Sequence, residues 1–256
     1  MLARELISLH ESPHEVPPFS ERYPELTAEA GYQAAQALHE HRVARGWRPV
    51  GRKIGFTNRT IWPRYGVYEP IWGTVYDQTM VHAADHRARV PLARLVNPRI
   101  EPEICFRLSA APGERPLVEC IEWMAHAVEI VQCHHPAWKL RLADSTTDNG
   151  LHGRLVVGAP APLPTDARSA LARVEVQLFR EGKLVDRGVG ENVLGSPIAA
   201  LEHLVGILTR HGARPLAAGE IVTTGVITDA HPVAPGETWN TQLSGVPLAG
   251  LTIEFA

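Results

Sequence analysis

The sequence predicts an α+β fold, in which a small helical amino-terminal part precedes a largely antiparallel or mixed β architecture. Three observations carry this. Short apolar runs broken by Gly and Pro outnumber helix-period segments. They seldom alternate strand–helix–strand, as a wound parallel sheet would. The chain also carries neither GxGxxG nor a P-loop, so a Rossmann fold is not supported. With 256 residues, 45% of them hydrophobic, it suits one large domain or a main domain with an appendage. The texture changes after Trp47, which divides the chain into a helical segment, 1–48, and a β domain, 49–256, or the two pack as one.

The elements follow in order. A Pro-containing stretch, SPHEVPPFSERYPE, leads into a helix over 27–45, with Thr27 as N-cap, Glu29 in the first turn and Gly46 at the stop. Strands are expected at 50–56, 99–108, 127–133, 154–158, 173–179, 220–227 and 248–255. Glu181-Gly182 reads as a hairpin turn between 173–179 and 183–188. A helix over 117–126 is expected from Leu117, Cys120, Ile121 and Met124. Another covers 197–211, with Ser196 as N-cap, Pro197 at its first position and Gly212 at its end.

The formal net charge of −3, without blocks of like charge, gives no footprint for nucleic acid or an anionic membrane. The amino end has no signal-peptide core, and no apolar run approaches the roughly 18 residues of a membrane span. Cys105, Cys120 and Cys133 are odd in number and lack CxxC spacing. The expectation is a soluble, cytoplasmic protein.

Chemistry concentrates in RIEPEICF, 99–106. Ile100, Ile104, Phe106 and Leu108 mark one strand face, and Glu101, Glu103, Cys105 and Arg107 share the other. Glu129 lies in a comparably apolar strand, flanked by Val128 and Ile130. Buried carboxylates need an answering charge. Two answers stand open: Arg or Lys partners, or a hard divalent cation such as Mg²⁺ or Mn²⁺. Lys53, between glycines in GRKIGFTN, is expected to have a lowered pKa if buried and to serve as acid, base or carboxylate anchor. Its bland alternative is a strand lysine that reaches solvent. WKLRLADSTTDNG offers Lys139, Asp144, Asp148 and Asn149, although Asp-Asn-Gly is also a routine turn. At Thr224-Gly225 a strand ends where a hydroxyl and free amides could hold a carboxylate. His126, His134 and His135 lack a zinc motif and read as surface or pocket-edge histidines.

In this order and spacing the segments resemble the fumarylacetoacetate hydrolase superfamily, in particular its 2-keto-4-pentenoate hydratase and 4-oxalocrotonate decarboxylase branch. The resemblance runs from about residue 30 to the carboxyl end and rests on GRKIGFTN, RIEPEICF, AVEIVQC, KLRLADSTTDNGLHG, GSPIAALEHLVGIL and GEIVTTGVITDAHPVAPGETW. It implies a mixed β-roll with a small helical amino-terminal part. It further implies that Glu101, Glu103 and Glu129 hold one Mg²⁺ or Mn²⁺, with Lys53 beside it. Lys53 would transfer a proton or orient the substrate, and Asp77 in TVYDQTM would share proton handling. Thr224 and Gly225 would hold the substrate carboxylate, with Lys139 and Asp144 as further substrate-side candidates; Asp144 and Asp148 also suit loop ordering. The substrate would be a small 2-oxo or 2-hydroxy dienoic acid and the reaction its hydration in aromatic-ring catabolism, by a homo-oligomer. Decarboxylation of a 2-oxo-3-enedioate and acylpyruvate C–C hydrolysis or tautomerisation are the alternatives; for that hydrolysis no His–Glu pair is evident in the sequence. The chain departs from the pattern at Asn58, Gln132 and His152, where the family has Ser, Asp and Ser, and in an aromatic-rich stretch at 61–73. His152 is either an added acid–base group or a filler of the pocket rim.

Overall fold

The computed structural model describes residues 1–59, 62–65, 68–113 and 115–256, so positions 61, 66 and 67 of the aromatic-rich stretch lie outside it. The strands are β1 (Pro49–Gly55), β2 (Ile71–Tyr76), β3 (Met80–His82), β4 (Arg87–Val90), β5 (Arg99–Leu108), β6 (Ile121–Val131) and β7 (His152–Val157). They continue as β8 (Glu175–Arg180), β9 (Lys183–Val189), β10 (Ile221–Thr223), β11 (His231–Pro232), β12 (Thr238–Ser244) and β13 (Thr252–Phe255). The helices are α1 (Leu2–Glu11), α2 (Phe19–Arg22), α3 (Ala28–Ala44), α4 (Trp62–Tyr65), α5 (Leu142–Thr147), α6 (Ala167–Ala172) and α7 (Pro197–Arg210).

Two mixed sheets result. The larger has the order β2-β1-β10-β5-β6-β7-β3, with β11 also on β5; the smaller runs β4-β13-β12-β8-β9. Their facing sides form one core, where Ile100, Val128 and Ile130 meet Leu178, Trp239 and Ile253. A second core packs Ile104, Phe106 and Leu108 against α6 and α7 through Leu171, Leu201 and Leu204. Each such side chain contributes about 1.5–3 kcal/mol on burial. The amino-terminal helices close their own cluster around Leu6, Leu9, Phe19 and Leu38.

Local chemistry explains the elements that match the sequence reading. Thr27 accepts the Ala30 N–H at 3.2 Å and starts α3. Ser196 accepts the Ala199 N–H at 3.1 Å and starts α7. Glu181 and Gly182, with φ of +50 and +72, close the β8–β9 hairpin.

Three expectations are corrected. The helix over 117–126 is instead a 3₁₀ turn, Leu117–Cys120, followed by β6. Pairing of Met124 with Phe106 and Ala125 with Cys105 extends the long ladder with β5 and overrides a helical spacing only four residues deep. The strand at 220–227 stops at Thr223, because Gly225 turns away with φ +98. The histidines expected at the surface or a pocket edge are buried: His126 is 1% exposed and His134 and His135 are 0% exposed. In addition α1 forms where no helix was expected. Among the described residues no helix is long and apolar enough to cross a membrane.

Candidate metal and active site

The register of β5 against β6 builds the site. Glu101 sits directly opposite Glu129, and Glu103, two residues on, points to the same side. One oxygen from each of the three carboxylates lies within 4.8 Å of the others. On the far side of β10, β1 brings in Lys53, which is 3% exposed. Its Nζ donates to the Gly150 carbonyl at 2.9 Å and lies 3.3 Å from Glu129 Oε2.

The two fully buried glutamates share a pattern. Glu103 Oε2 accepts the Gly225 N–H at 2.8 Å, and Oε1 has no partner. Glu129 Oε1 accepts from His152 Nδ1 at 2.7 Å, and Oε2 has no aligned donor, only the nearby Lys53 charge. Each therefore presents one tied and one open oxygen to the same small volume. Open carboxylate oxygens in a dry site cost several kcal/mol unless a cation answers them.

The electrostatics express that shortage. Burial, partly opposed by Lys53, pushes the Glu101 carboxyl up to about 7. Burial, then Glu129 and Glu101, raise Glu103 well above the carboxylate range. Glu129 goes the other way: burial raises it, but Lys53 and the His152 hydrogen bond hold it below its ordinary value. The lowered pKa expected of a buried Lys53 is corrected to a raised one, because the three glutamates together outweigh its desolvation. Burial keeps His152 below its ordinary value, so the ring is neutral near pH 7 and gives its Nδ1–H to Glu129. Its Nε2 lies 2.9 Å from Thr79 Oγ1.

The other expected site residues lie as follows. Thr224 donates its hydroxyl to the Ile104 carbonyl at 2.8 Å, and the Gly225 amide serves Glu103, so both donors are already committed to protein acceptors. Asp77 accepts from the Arg48 backbone and Nε at 3.0 and 2.9 Å. Asp144 is buried and accepts from Ser20 N and Oγ at 2.8 and 2.7 Å. Lys139 is exposed. Among the described residues no hydrogen bond or ion pair joins Asp77, Asp144 or Lys139 to the glutamate triad. Gln132 accepts the Val96 N–H through Oε1, and Asn58 bridges to Val193.

Two features escaped the sequence reading. The first is a recess beside Lys53 and Glu101, walled by Ile71, Val131, Trp138, Leu151 and Val226. Its walls come from separate stretches of chain, and although each lay in a segment noted in the sequence, nothing in the sequence showed that they would meet. The second is a buried polar group in which Asp148 accepts from His10 Nε2 at 2.8 Å and His134 Nδ1 at 2.7 Å. Both histidines looked unremarkable because their shared partner is remote in sequence.

No family model matches the chain. It is 28% identical over 249 residues to the 2-keto-4-pentenoate hydratase of Paraburkholderia xenovorans LB400, covering 95% of this chain and 90% of that protein. It is 31% identical over 215 residues to a 4-oxalocrotonate decarboxylase of a Pseudomonas species, covering 82% and 81%. Among solved structures it is similar to the 4-oxalocrotonate decarboxylase from Pseudomonas putida G7, complexed with magnesium and adipate. The TM-score is 0.89 at 26% identity, over 100% of this chain and 96% of that one. The fold is shared with fumarylpyruvate hydrolase from Pseudomonas aeruginosa, solved with Mn²⁺ and pyruvate, at TM-score 0.64 and 15% identity over 82% and 89%. This chain belongs to the family of 2-keto-4-pentenoate hydratases and 4-oxalocrotonate decarboxylases, and it has the fold of the fumarylacetoacetate hydrolase type.

Proposed function

We propose that this chain is a metal-dependent hydratase of aromatic-ring catabolism, a hydro-lyase that turns a 2-hydroxy-2,4-dienoate into a 4-hydroxy-2-oxo acid. The observation that carries the reading is the open oxygen on each of Glu103 and Glu129, facing Glu101 and Lys53 in one buried volume. An all-carboxylate donor set fits Mg²⁺ or Mn²⁺, with Glu101, Glu103 and Glu129 as its holders. When bound, such a cation supplies Lewis acidity to the carboxylate and 2-oxygen end of the substrate, where charge develops.

The chain's own groups define the rest. In the metal-free site the glutamates hold Lys53 protonated, which suits it as a donor and charge partner to the substrate. Ketonisation removes the hydrogen of the 2-hydroxyl and places one at C5; water then adds its oxygen at C4 and a hydrogen at C3. The apolar recess of Ile71, Val131, Trp138 and Val226 suits a hydrocarbon tail and keeps the reacting end away from bulk water. Asp77, Lys139 and Asp144 are assigned no step. Homo-oligomer formation belongs to the same proposal, supported by the exposed Leu184, Val185 and Val189 on the edge strand β9. So does a cytoplasmic setting, supported by three free, buried cysteines.

Decarboxylation is the second reading. It is favoured by the 31% identical relative, a 4-oxalocrotonate decarboxylase. Acylpyruvate hydrolysis or tautomerisation has less support. The His–Glu pair that the sequence did not reveal does exist, as His152–Glu129, but both ring nitrogens are engaged and His152 is 2% exposed, so it faces no water. The test offers the Mg²⁺-loaded protein 2-hydroxypenta-2,4-dienoate and, separately, 2-oxo-3-hexenedioate, with products identified by mass spectrometry. The dienoate is expected to gain one water while the diacid is returned. Loss of CO₂ from the diacid without hydration of the dienoate would replace the first reading with the second.

A further inference from the structure

Each buried glutamate of the triad has one open oxygen because the protein holds the other. For Glu103 the holder is a backbone amide. For Glu129 it is the His152 ring, and that ring is itself fixed. Its Nε2 lies 2.9 Å from Thr79 Oγ1, and the same hydroxyl oxygen stands 3.0 Å from the Tyr76 carbonyl and 3.2 Å from the Tyr76 amide. The ring is enclosed, so it cannot swing aside and release Oε1 without abandoning Thr79.

This arrangement bears on the choice of ion. A carboxylate with both oxygens free can clasp a cation through two contacts; one whose oxygen is held by a fixed donor has a single lone pair left there and a set orientation, which disfavours the clasp. Ca²⁺ takes six to eight oxygens and accepts either mode, whereas Mg²⁺ demands a near-octahedral shell of single contacts. We propose that His152 is a specificity-determining residue for the cation: by holding Glu129 Oε1 it restricts this glutamate to one oxygen and so favours Mg²⁺ or Mn²⁺ over Ca²⁺. His152 acts through Glu129 and is a positioning residue. The inference rests on the metal-site reading above and extends it to the selection of the ion.

The test is calorimetric titration of the metal-stripped full chain with MgCl₂ and with CaCl₂, for wild type, His152→Ala and His152→Gln. Partners of metal-bound groups typically command about 10–100-fold in affinity. His152→Ala is therefore expected to lose Mg²⁺ affinity on that scale and Ca²⁺ affinity far less, moving the Mg²⁺:Ca²⁺ preference about tenfold or more towards Ca²⁺. His152→Gln, which keeps an N–H donor, is expected to retain most of the preference. If His152→Ala does not fold, Thr79→Ala loosens the ring while leaving it in place, and the same ratio is read. Equal weakening of both ions, or none, overturns the selectivity role while leaving the metal site intact. Failure of the wild type to bind either ion overturns the metal reading itself.

Discussion

Glu101 sits between two influences, a dry environment that favours its protonated form and a lysine that favours the ionised one. Burial dominates and raises the carboxyl from 4.5 to about 7. In the metal-free protein the folded state thus binds this proton more tightly than the unfolded state does. The stability it contributes is full below about 4.5 and is lost as the pH rises towards 7. Other groups titrate in the same range, so the informative quantity is the difference between wild type and Glu101→Gln in urea unfolding at a series of pH values. Without metal, wild type is expected to lose stability relative to Glu101→Gln as the pH rises from 4.5 to 7. With saturating Mg²⁺ the trend is expected to reverse, because the cation binds only the ionised carboxylates. A flat difference in both conditions would mean that Glu101 is neither desolvated nor a ligand.

At the scale of elements, the amino-terminal helices are tied to the site by a buried polar chain. Arg42 of α3 donates to His10 Nδ1 at 3.0 Å, which leaves Nε2–H of this α1 residue to donate to Asp148. Asp148 in turn opens the 3₁₀ turn Asn149–Leu151, whose Gly150 carbonyl holds Lys53. Burial lowers His10 from 6.5 to about 4, and the Asp148 hydrogen bond only partly offsets it. Its contribution is therefore full above about 6.5 and is lost as the pH falls through 4. His10→Ala is expected to cost about 1–3 kcal/mol at neutral pH, the penalty for stranding buried polar partners. The deficit relative to wild type should narrow as the pH drops from 6.5 towards 4 in denaturant unfolding. A deficit that stays constant would show that His10 is not held neutral by the fold.

The same elements show what could be read beforehand. Helices α3 and α7 were legible because Thr27 and Ser196 carry their starts in side chains that accept backbone N–H groups. Helix α1 was not: its N-cap, Met1, makes no side-chain capping bond, and its two buried leucines, Leu6 and Leu9, acquire meaning only against Phe19 and Leu38. The stretch at 117–126 was misread because its partner strand, β5, decides its conformation. The Glu101, Glu103 and Glu129 constellation was visible as a motif, yet the charge state of Lys53 was not. A lysine's local sequence suggests desolvation, whereas the three carboxylates that outweigh it arrive from two other strands.

For the whole molecule, two mixed sheets and a helical amino-terminal segment bring two groups of metal-capable side chains into the interior. One is Glu101, Glu103 and Glu129; the other is His10, His134 and Asp148. Their chemistry separates them. Both Asp148 oxygens already accept hydrogen bonds, and the Arg42 guanidinium stands against His10, where a second cation would be repelled. The glutamate group instead offers open oxygens and, with all three carboxylates ionised, would hold more negative charge than Lys53 alone answers. The most direct measurement is therefore a crystal of the metal-stripped protein soaked in MnCl₂, with the ion located by anomalous scattering. One Mn²⁺ per chain, held by the carboxylates of Glu101, Glu103 and Glu129, is the expected result. An empty triad, or an ion seated only among His10, His134 and Asp148, would contradict the account.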